Sequence, residues 1–349
     1  MCEYGRCVGA DVVRWSAREA QQRGADPALL DDLVDIAAVV IDCRDARPDP
    51  LSLGPLRRAA CVVLAVADDD AAQLPVDLVI TPGADTALLS SDTEGAVDAL
   101  VRAAVANPRA TGVLAQLLRV TPGLPVEDAL LAESWAYSLL LAGAEFRAWL
   151  AANPPRPHRH GDEPAVLVSR DDEVLRLTLN RPQVRNAYDA ALRDALVAGL
   201  QLAEGDPSVV RVELRGNGPS FCSGGDLSEF GACEDPVVAH AIRTTRSAAA
   251  HLARVAARTE VRLHGACVGA GVELPAFAGR VVAAPDTTLR LPEVAMGLVP
   301  GAGGTVSLPR RIGAARTLLL ALSGLTLGAR DALRWGLVDD IAAESDVFA

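Results

Sequence analysis

The chain is expected to be an α/β protein in two parts, a smaller helix-rich α/β domain followed by a larger one of repeated β-β-α units. Three observations predict this. At 349 residues the length suits about two domains of roughly 150 residues each. The segment Pro154-Pro-Arg-Pro-His-Arg-His-Gly-Asp-Glu-Pro164 carries four prolines and no large apolar side chain, so it reads as an exposed linker (154–164) between domains at 1–153 and 165–349. Beyond it, short apolar runs alternate repeatedly with helical patterns.

Taken in order, Val39-Val-Ile-Asp, Cys61-Val-Val-Leu-Ala-Val and Val76-Asp-Leu-Val-Ile predict short buried strands. Helical patterns follow at about 93–106, 110–119 and 126–152. The last includes Leu130-Leu-Ala-Glu-Ser-Trp-Ala-Tyr-Ser-Leu-Leu-Leu, apolar almost all round, and so should be buried. After the linker, Ala165–Val168 and Val174–Leu179 predict a hairpin turning at Ser169–Glu173. A helix is expected over about 189–203, a strand at Val210–Leu214 and a helix at roughly 236–257. The order then repeats: strand Glu260–Leu263 and a helix from about Ala270, then strand Arg280–Ala284 and a helix from Gly303.

Half the residues are hydrophobic and 22% are charged, which suits sizeable cores. No run of 18 apolar residues exists, so no membrane partner is expected. Met1-Cys-Glu-Tyr-Gly-Arg-Cys-Val8 lacks the pattern of a secretory signal, and the expected location is cytoplasmic. The net charge of −12 argues against nucleic acid as a partner. All 33 basic residues are arginine, which excludes Schiff-base chemistry on a lysine. Seven cysteines and five histidines are scattered without ligand spacing, so no metal site is expected.

Chemistry concentrates in three glycine-rich segments. Glu273 lies in Gly265-Ala-Cys-Val-Gly-Ala-Gly-Val-Glu-Leu274, and Glu293 in Leu291-Pro-Glu-Val-Ala-Met-Gly-Leu-Val-Pro-Gly-Ala-Gly-Gly-Thr305. Phe221-Cys-Ser-Gly-Gly-Asp-Leu227 precedes both. Glycine lets backbone N–H groups approach a ligand, and carboxylates move protons. Taken singly, Glu273 also fits a charge at a helix start and Glu293 a solvated loop acid. Asp226 fits a turn or capping residue better than a catalyst. Gly269-Ala-Gly271 might open a dinucleotide fingerprint, but Leu274 occupies the third glycine position.

Together the segments resemble the crotonase (enoyl-CoA hydratase/isomerase) superfamily over about residues 164–342. Leu179-Asn-Arg-Pro-Gln-Val-Arg-Asn-Ala187 is similar to that family's N-R-P-x-x-x-N-A motif, and Phe221–Leu227 to its F-x-x-G-x-D-[LI] loop. His264–Leu274 and Pro292-Glu through Pro300-Gly-Ala-Gly-Gly304 are similar to its third and fourth motifs. The resemblance implies a crotonase-like spiral of β-β-α units and a lyase hydrating a 2-enoyl-CoA, or running the reverse dehydration. CoA would be part of the substrate, with no separate cofactor. It implies backbone N–H donors at Gly225 and Ala270 for the thioester oxygen. Glu273 would activate water, Glu293 would protonate C2, and Gly301 would position the water. Arg185, Ala187, Ser223 and Gly225 are the CoA-binding candidates, and a homo-oligomer (trimer or hexamer) is implied.

The chain departs from the family pattern in two ways that bear on the site. Pro275 interrupts the helix expected after Ala270. About forty-five residues follow Gly304, fewer than is usual, so the apolar helices near 126–152 are expected to supply cover for the acyl pocket. Enoyl-CoA isomerase or acyl-CoA hydrolase chemistry is the near alternative. A non-catalytic CoA-binding subunit or a nicotinamide oxidoreductase would be a change of class.

Overall fold

The computed structural model describes residues 11–69, 74–155, 163–233 and 235–342. Most of the proline-rich segment, with His158 and His160, lies outside the described residues, as do Cys2, Cys7 and the N-terminal segment read for a signal. The chain divides into two compact units between Arg119 and Val120. The helices near 126–152 therefore belong to the second unit rather than to the N-terminal domain that the proline-rich segment suggested, because they pack against its helices.

The first unit carries β1 (Asp11–Ser16), α1 (Ala17–Gly24), α2 (Leu29–Asp32), β2 (Ile36–Asp42), β3 (Val62–Val66) and β4 (Leu78–Ile80). Two longer helices follow, α3 (Thr93–Ala106) and α4 (Pro108–Val120), the latter ending at the boundary. The four strands form one parallel sheet in the order β1-β2-β3-β4. β3 is buried at every position, as expected for a parallel strand covered on both faces. Trp15, Ile41, Leu53, Leu56 and Val63 belong to one core. β1 and α1 escaped sequence reading, although Ser16 and Glu19 form a capping box.

One ion pair locks this unit. Arg119 donates through Nε to Asp77 Oδ1 at 2.7 Å and through Nη2 to Oδ2 at 2.6 Å, with both side chains buried. Its remaining donors reach the carbonyls of Ala59 and Cys61, and Asp77 Oδ2 also accepts from Val63 N. Breaking a buried pair leaves an uncompensated charge, so Asp77→Ala should cost about 3–5 kcal/mol of the unit's stability. Denaturant unfolding followed by circular dichroism measures this; a loss below about 1 kcal/mol would show that the pair is not a stabilising lock.

The second unit begins with α5 (Val126–Leu141) and α6 (Ala144–Ala152). They are one predicted helix broken at Gly143, where a Cβ would stand 2.8 Å from the Leu140 carbonyl oxygen. The hairpin β5 (Val166–Asp171) and β6 (Val174–Leu179) is antiparallel and turns at Asp172-Glu173, where Asp172 has φ 49°. α7 (Ala190–Gly205) starts at Asp189, whose side chain accepts from Leu192 N. After β7 (Arg211–Gly216) come α8 (Pro236–Thr245) and α9 (Ala248–Val255). These divide the predicted 236–257 helix because Ser247 caps a new start by accepting from Ala250 N.

The β-β-α repeat then becomes explicit. β8 (Thr259–Leu263) and β9 (Ala266–Val268) lead into α10 (Ala270–Glu273). β10 (Arg280–Ala283) and β11 (Thr288–Arg290) lead into α11 (Gly304–Ile312), followed by α12 (Ala314–Ser323), β12 (Leu327–Gly328), α13 (Ala329–Trp335) and β13 (Asp340–Ile341). The first strand of each repeat joins a six-stranded sheet ordered β13-β10-β8-β7-β6-β5, and the second joins a three-stranded sheet ordered β12-β11-β9. A bridge from Cys222 to Cys267 continues the small sheet to the preceding repeat. α10 is a single turn, and Pro275 opens the 3-10 turn that replaces its continuation.

Candidate active site

The ends of these repeats converge on one cavity of about 720 Å³ within the second unit. Gly225, Ala270, Glu273, Glu293 and Gly301 all line it. Five positions spread over 77 residues of sequence thus meet at one surface. α5 forms another wall through Glu133, Ser134 and Tyr137, so the 126–152 region does cover this cavity.

The backbone donors are set by neighbouring segments. Tyr188 N donates to Gly224 O at 2.7 Å, and Asp226 N donates to Tyr188 O at 3.1 Å, which pins the Gly225 peptide. Gly224 has φ 93°, and a Cβ there would lie 2.9 Å from Val268 O, so the turn needs glycine. α6 supports the same loop: Phe146 and Trp149 meet Phe230 edge-on, and Phe230 packs against Gly225. Ala270 is the first residue of α10, where the N–H has no intrahelical partner. Among the described residues, no hydrogen-bond acceptor faces either the Gly225 or the Ala270 N–H.

Asn186, from the first motif, holds this scaffold without touching the cavity. Fully buried, it donates to the carbonyls of Asn217, Ser220 and Phe221 at 2.9–3.0 Å and accepts from Arg181 N at 2.7 Å. Asp226 accepts from Ser228 N at 2.8 Å, the turn role its position suggested. Of the CoA-binding candidates, only Gly225 lines the cavity. Ser223 N donates to Arg185 O at 3.0 Å, so Arg185, Ala187 and Ser223 lie alongside Gly225, with the Arg185 side chain exposed.

The N-terminus of α11 gathers two of the site's three carboxylates. Glu273 Oε2 accepts from Ala302 N at 2.7 Å and Gly304 N at 2.9 Å. Glu133, from α5, accepts from Gly303 N at 2.7 Å and from the Thr305 N–H and hydroxyl at 2.9 and 2.7 Å. Four N–H groups that the helix cannot satisfy itself are thus held by two acids. Glu293 differs. Its Oε1 lies against Gly269, where a Cβ would come within 2.4 Å, and Oε2 is buried without a hydrogen-bond partner among the described residues.

Burial drives all three acids up in pKa: Glu133 to about 7, Glu293 to about 8, and Glu273 well above the ordinary range. For Glu273 the next cause is repulsion from Glu293 and Glu133. The cluster titrates as a unit, and hydrogen bonding decides where its protons reside. N–H donors from a helix end favour a charged Glu273, whereas Glu293, with Oε2 unpartnered, is the better proton holder.

Sequence reasoning missed Glu133 and Tyr137. Tyr137 packs its ring on Gly301, where a Cβ would lie 2.2 Å from a ring carbon. The signal was Glu133 itself, a charge in an otherwise apolar helix; nothing in the sequence linked it to residues 303–305.

Backbone donors beside paired acids of this kind form a site for proton transfer next to a carbonyl. The chain belongs to the enoyl-CoA hydratase/isomerase family, whose model matches residues 169–349. It is 37% identical over 176 residues to 2,3-dehydroadipyl-CoA hydratase of Escherichia coli (strain K12), covering 50% of this chain and 68% of that one. It is 32% identical over 184 residues to an enoyl-CoA hydratase of Mycobacterium tuberculosis (strain CDC 1551 / Oshkosh), covering 52% and 70%. A solved enoyl-CoA hydratase/isomerase structure from Mycobacterium abscessus superposes with TM-score 0.50 at 32% identity, over 53% of this chain and 73% of that one. The second unit is thus crotonase-like in fold, and the chain is an enoyl-CoA hydratase-like enzyme.

Proposed function

We propose that this cavity hydrates a 2-enoyl-CoA, or dehydrates the corresponding 3-hydroxyacyl-CoA, with Glu273 and Glu293 in separate roles. The observation that carries this is the meeting of two unengaged N–H groups and two carboxylates at one surface. The thioester oxygen accepts from Gly225 N and Ala270 N, so negative charge developing on it is stabilised as the enolate forms. Each such donor contributes about 2.7–4 kcal/mol in comparable enzymes. Glu273, charged and fixed on Ala302 N and Gly304 N, takes a proton from water as the oxygen attacks C3. Glu293 delivers its proton to C2 as the enolate collapses, consistent with a pKa pushed up to about 8. Gly301 would position the water through its backbone, and its missing Cβ is what lets the Tyr137 ring pack there. Arg185, Ala187 and Ser223 would contact the CoA moiety beside Gly225, and no separate cofactor takes part.

The test is loss of enoyl-thioester ultraviolet absorbance when the full chain is mixed with crotonyl-CoA and longer enoyl-CoAs. Turnover is expected; folded protein that leaves every one of them unchanged would defeat the reading.

A homo-oligomeric, cytoplasmic state is part of the same proposal. Trp135 and Leu139, four residues apart on α5, are exposed apolar side chains suited to a subunit contact. Cys43, Cys61, Cys222, Cys233 and Cys267 are free thiols, which suits a reducing compartment. Among the described residues no helix is long and apolar enough to cross a membrane. Sedimentation showing monomer alone at micromolar concentration would remove the oligomer from the proposal.

A further inference from the structure

Four arginines line the cavity, and three of them are ion-paired. Arg193 and Arg246 pair with Asp194, while Arg254 faces Glu127 and Glu204. Arg243, from α8, has no carboxylate within ion-pair distance among the described residues. Its guanidinium instead lies 4.7 Å from the centre of the Tyr137 ring. Nε donates to Ser134 Oγ at 3.2 Å, and Nη2 reaches the Ser134 carbonyl at 3.4 Å and the Ser138 hydroxyl. Nη1 has no hydrogen-bond partner among the described residues. Glu133 is near enough to influence Arg243, but its oxygens are already engaged by Gly303 and Thr305.

Arg243 is half-buried on the cavity wall, and its Nη1 edge is available to an anion bound there. Arg243 stacks on Tyr137, whose ring packs on Gly301, and all three line the cavity that holds Glu273 and Glu293, so an anionic group on a substrate bound there can reach the guanidinium. We infer that Arg243 selects 2-enoyl-CoA substrates whose acyl chain ends in a carboxylate, which its guanidinium binds. This rests on the hydratase reading above. The planar fork of arginine matches a carboxylate through two parallel N–H groups, a fit that a neutral chain end cannot make.

The experiment compares kcat/KM for hex-2-enedioyl-CoA, its ω-methyl ester and hex-2-enoyl-CoA, all six carbons in the acyl chain. Wild-type protein should favour the free carboxylate over both neutral substrates by at least about tenfold. Arg243→Met should reduce that preference by about 10- to 100-fold, the range expected for a charge-assisted hydrogen bond, chiefly through KM. Arg243→Lys should retain part of it. The ratio cancels any general loss from disturbing the α5–α8 contact. If Arg243→Met folds poorly, Arg243→Gln offers the same comparison.

An unchanged ratio with lower thermal stability would make Arg243 a helix clamp, and the inference fails. Equal rises in KM for all three substrates, with weaker binding of free CoA, would place Arg243 on a CoA phosphate and also overturn it. Wild-type hydration of hex-2-enoyl-CoA without preference for the acid sinks the inference while leaving the hydratase reading intact. No turnover of these or of crotonyl-CoA sinks both.

Discussion

Glu273→Gln should lower kcat for crotonyl-CoA hydration by about 10²–10⁴-fold, the range over which a positioned acid–base group acts. The substitution keeps the volume and leaves an amide oxygen to accept from Ala302 N and Gly304 N, so α11 remains capped while the base is lost. KM should change little, because the thioester is held by Gly225 and Ala270 N–H groups that the substitution does not touch. Glu293→Gln should show a comparable loss, since it removes the proton destined for C2. The double variant should be scarcely worse than either single one, because the two acids serve the same addition. Stopped-flow absorbance at saturating substrate measures all three. If Glu273→Gln stays within a few-fold of wild type while Glu293→Gln is inactive, a one-acid isomerase would replace the hydratase reading.

The residues proposed to react could be singled out in the sequence because they sit in local motifs whose glycines have backbone reasons to be there. Gly224 must take φ 93° beneath Val268 O, and Gly269, with φ 50°, leaves the space that Glu293 fills. Such constraints act within a few residues, so they appear in sequence. The repeats were legible for the same reason: each strand pair and the turn after it form one local unit.

The other wall of the cavity was not legible. Glu133 lies 140 residues before Glu273 in sequence, and only the folded chain brings it to Gly303 and Thr305. Its helix was expected to be buried almost all round, yet Ala129, Glu133, Ser134 and Leu140 are buried while Trp135 and Leu139 are exposed; an apolar pattern states neither which face is covered nor by what. The proline-rich segment misdirected the domain boundary for a related reason. A linker composition marks exposed chain, whereas the contacts of α5 with α8, α9 and α11, and of α6 with α5 and the turn at Val294–Met296, decide which unit owns them.

Crowding three acids into one cavity, two of them at a helix end, should also make the second unit's stability depend on pH in an unusual direction. Glu293 has a folded-state pKa near 8 against an ordinary value of 4.5, and Glu133 one near 7. Between 4.5 and those values the folded state holds protons that the unfolded chain has released. Stability is therefore expected to fall as pH rises through that window. Carboxyls whose pKa is lowered on folding, such as Asp206 at about 2, act below 4.5 and leave the window clear. A single acid shifted this way changes stability by at most about 1.4 kcal/mol per pH unit, and sharing within the cluster reduces that. A loss of about 2 kcal/mol between pH 5.5 and 8 is expected, or roughly 4–8 °C in Tm for a unit of this size. Glu293→Gln carries no titrating proton, so its Tm should be flatter over the same range and higher than wild type at pH 8. Calorimetry of the two proteins across that range decides it: parallel curves would mean that Glu293 is ionised in the folded state, and its assignment as the proton donor to C2 would be withdrawn.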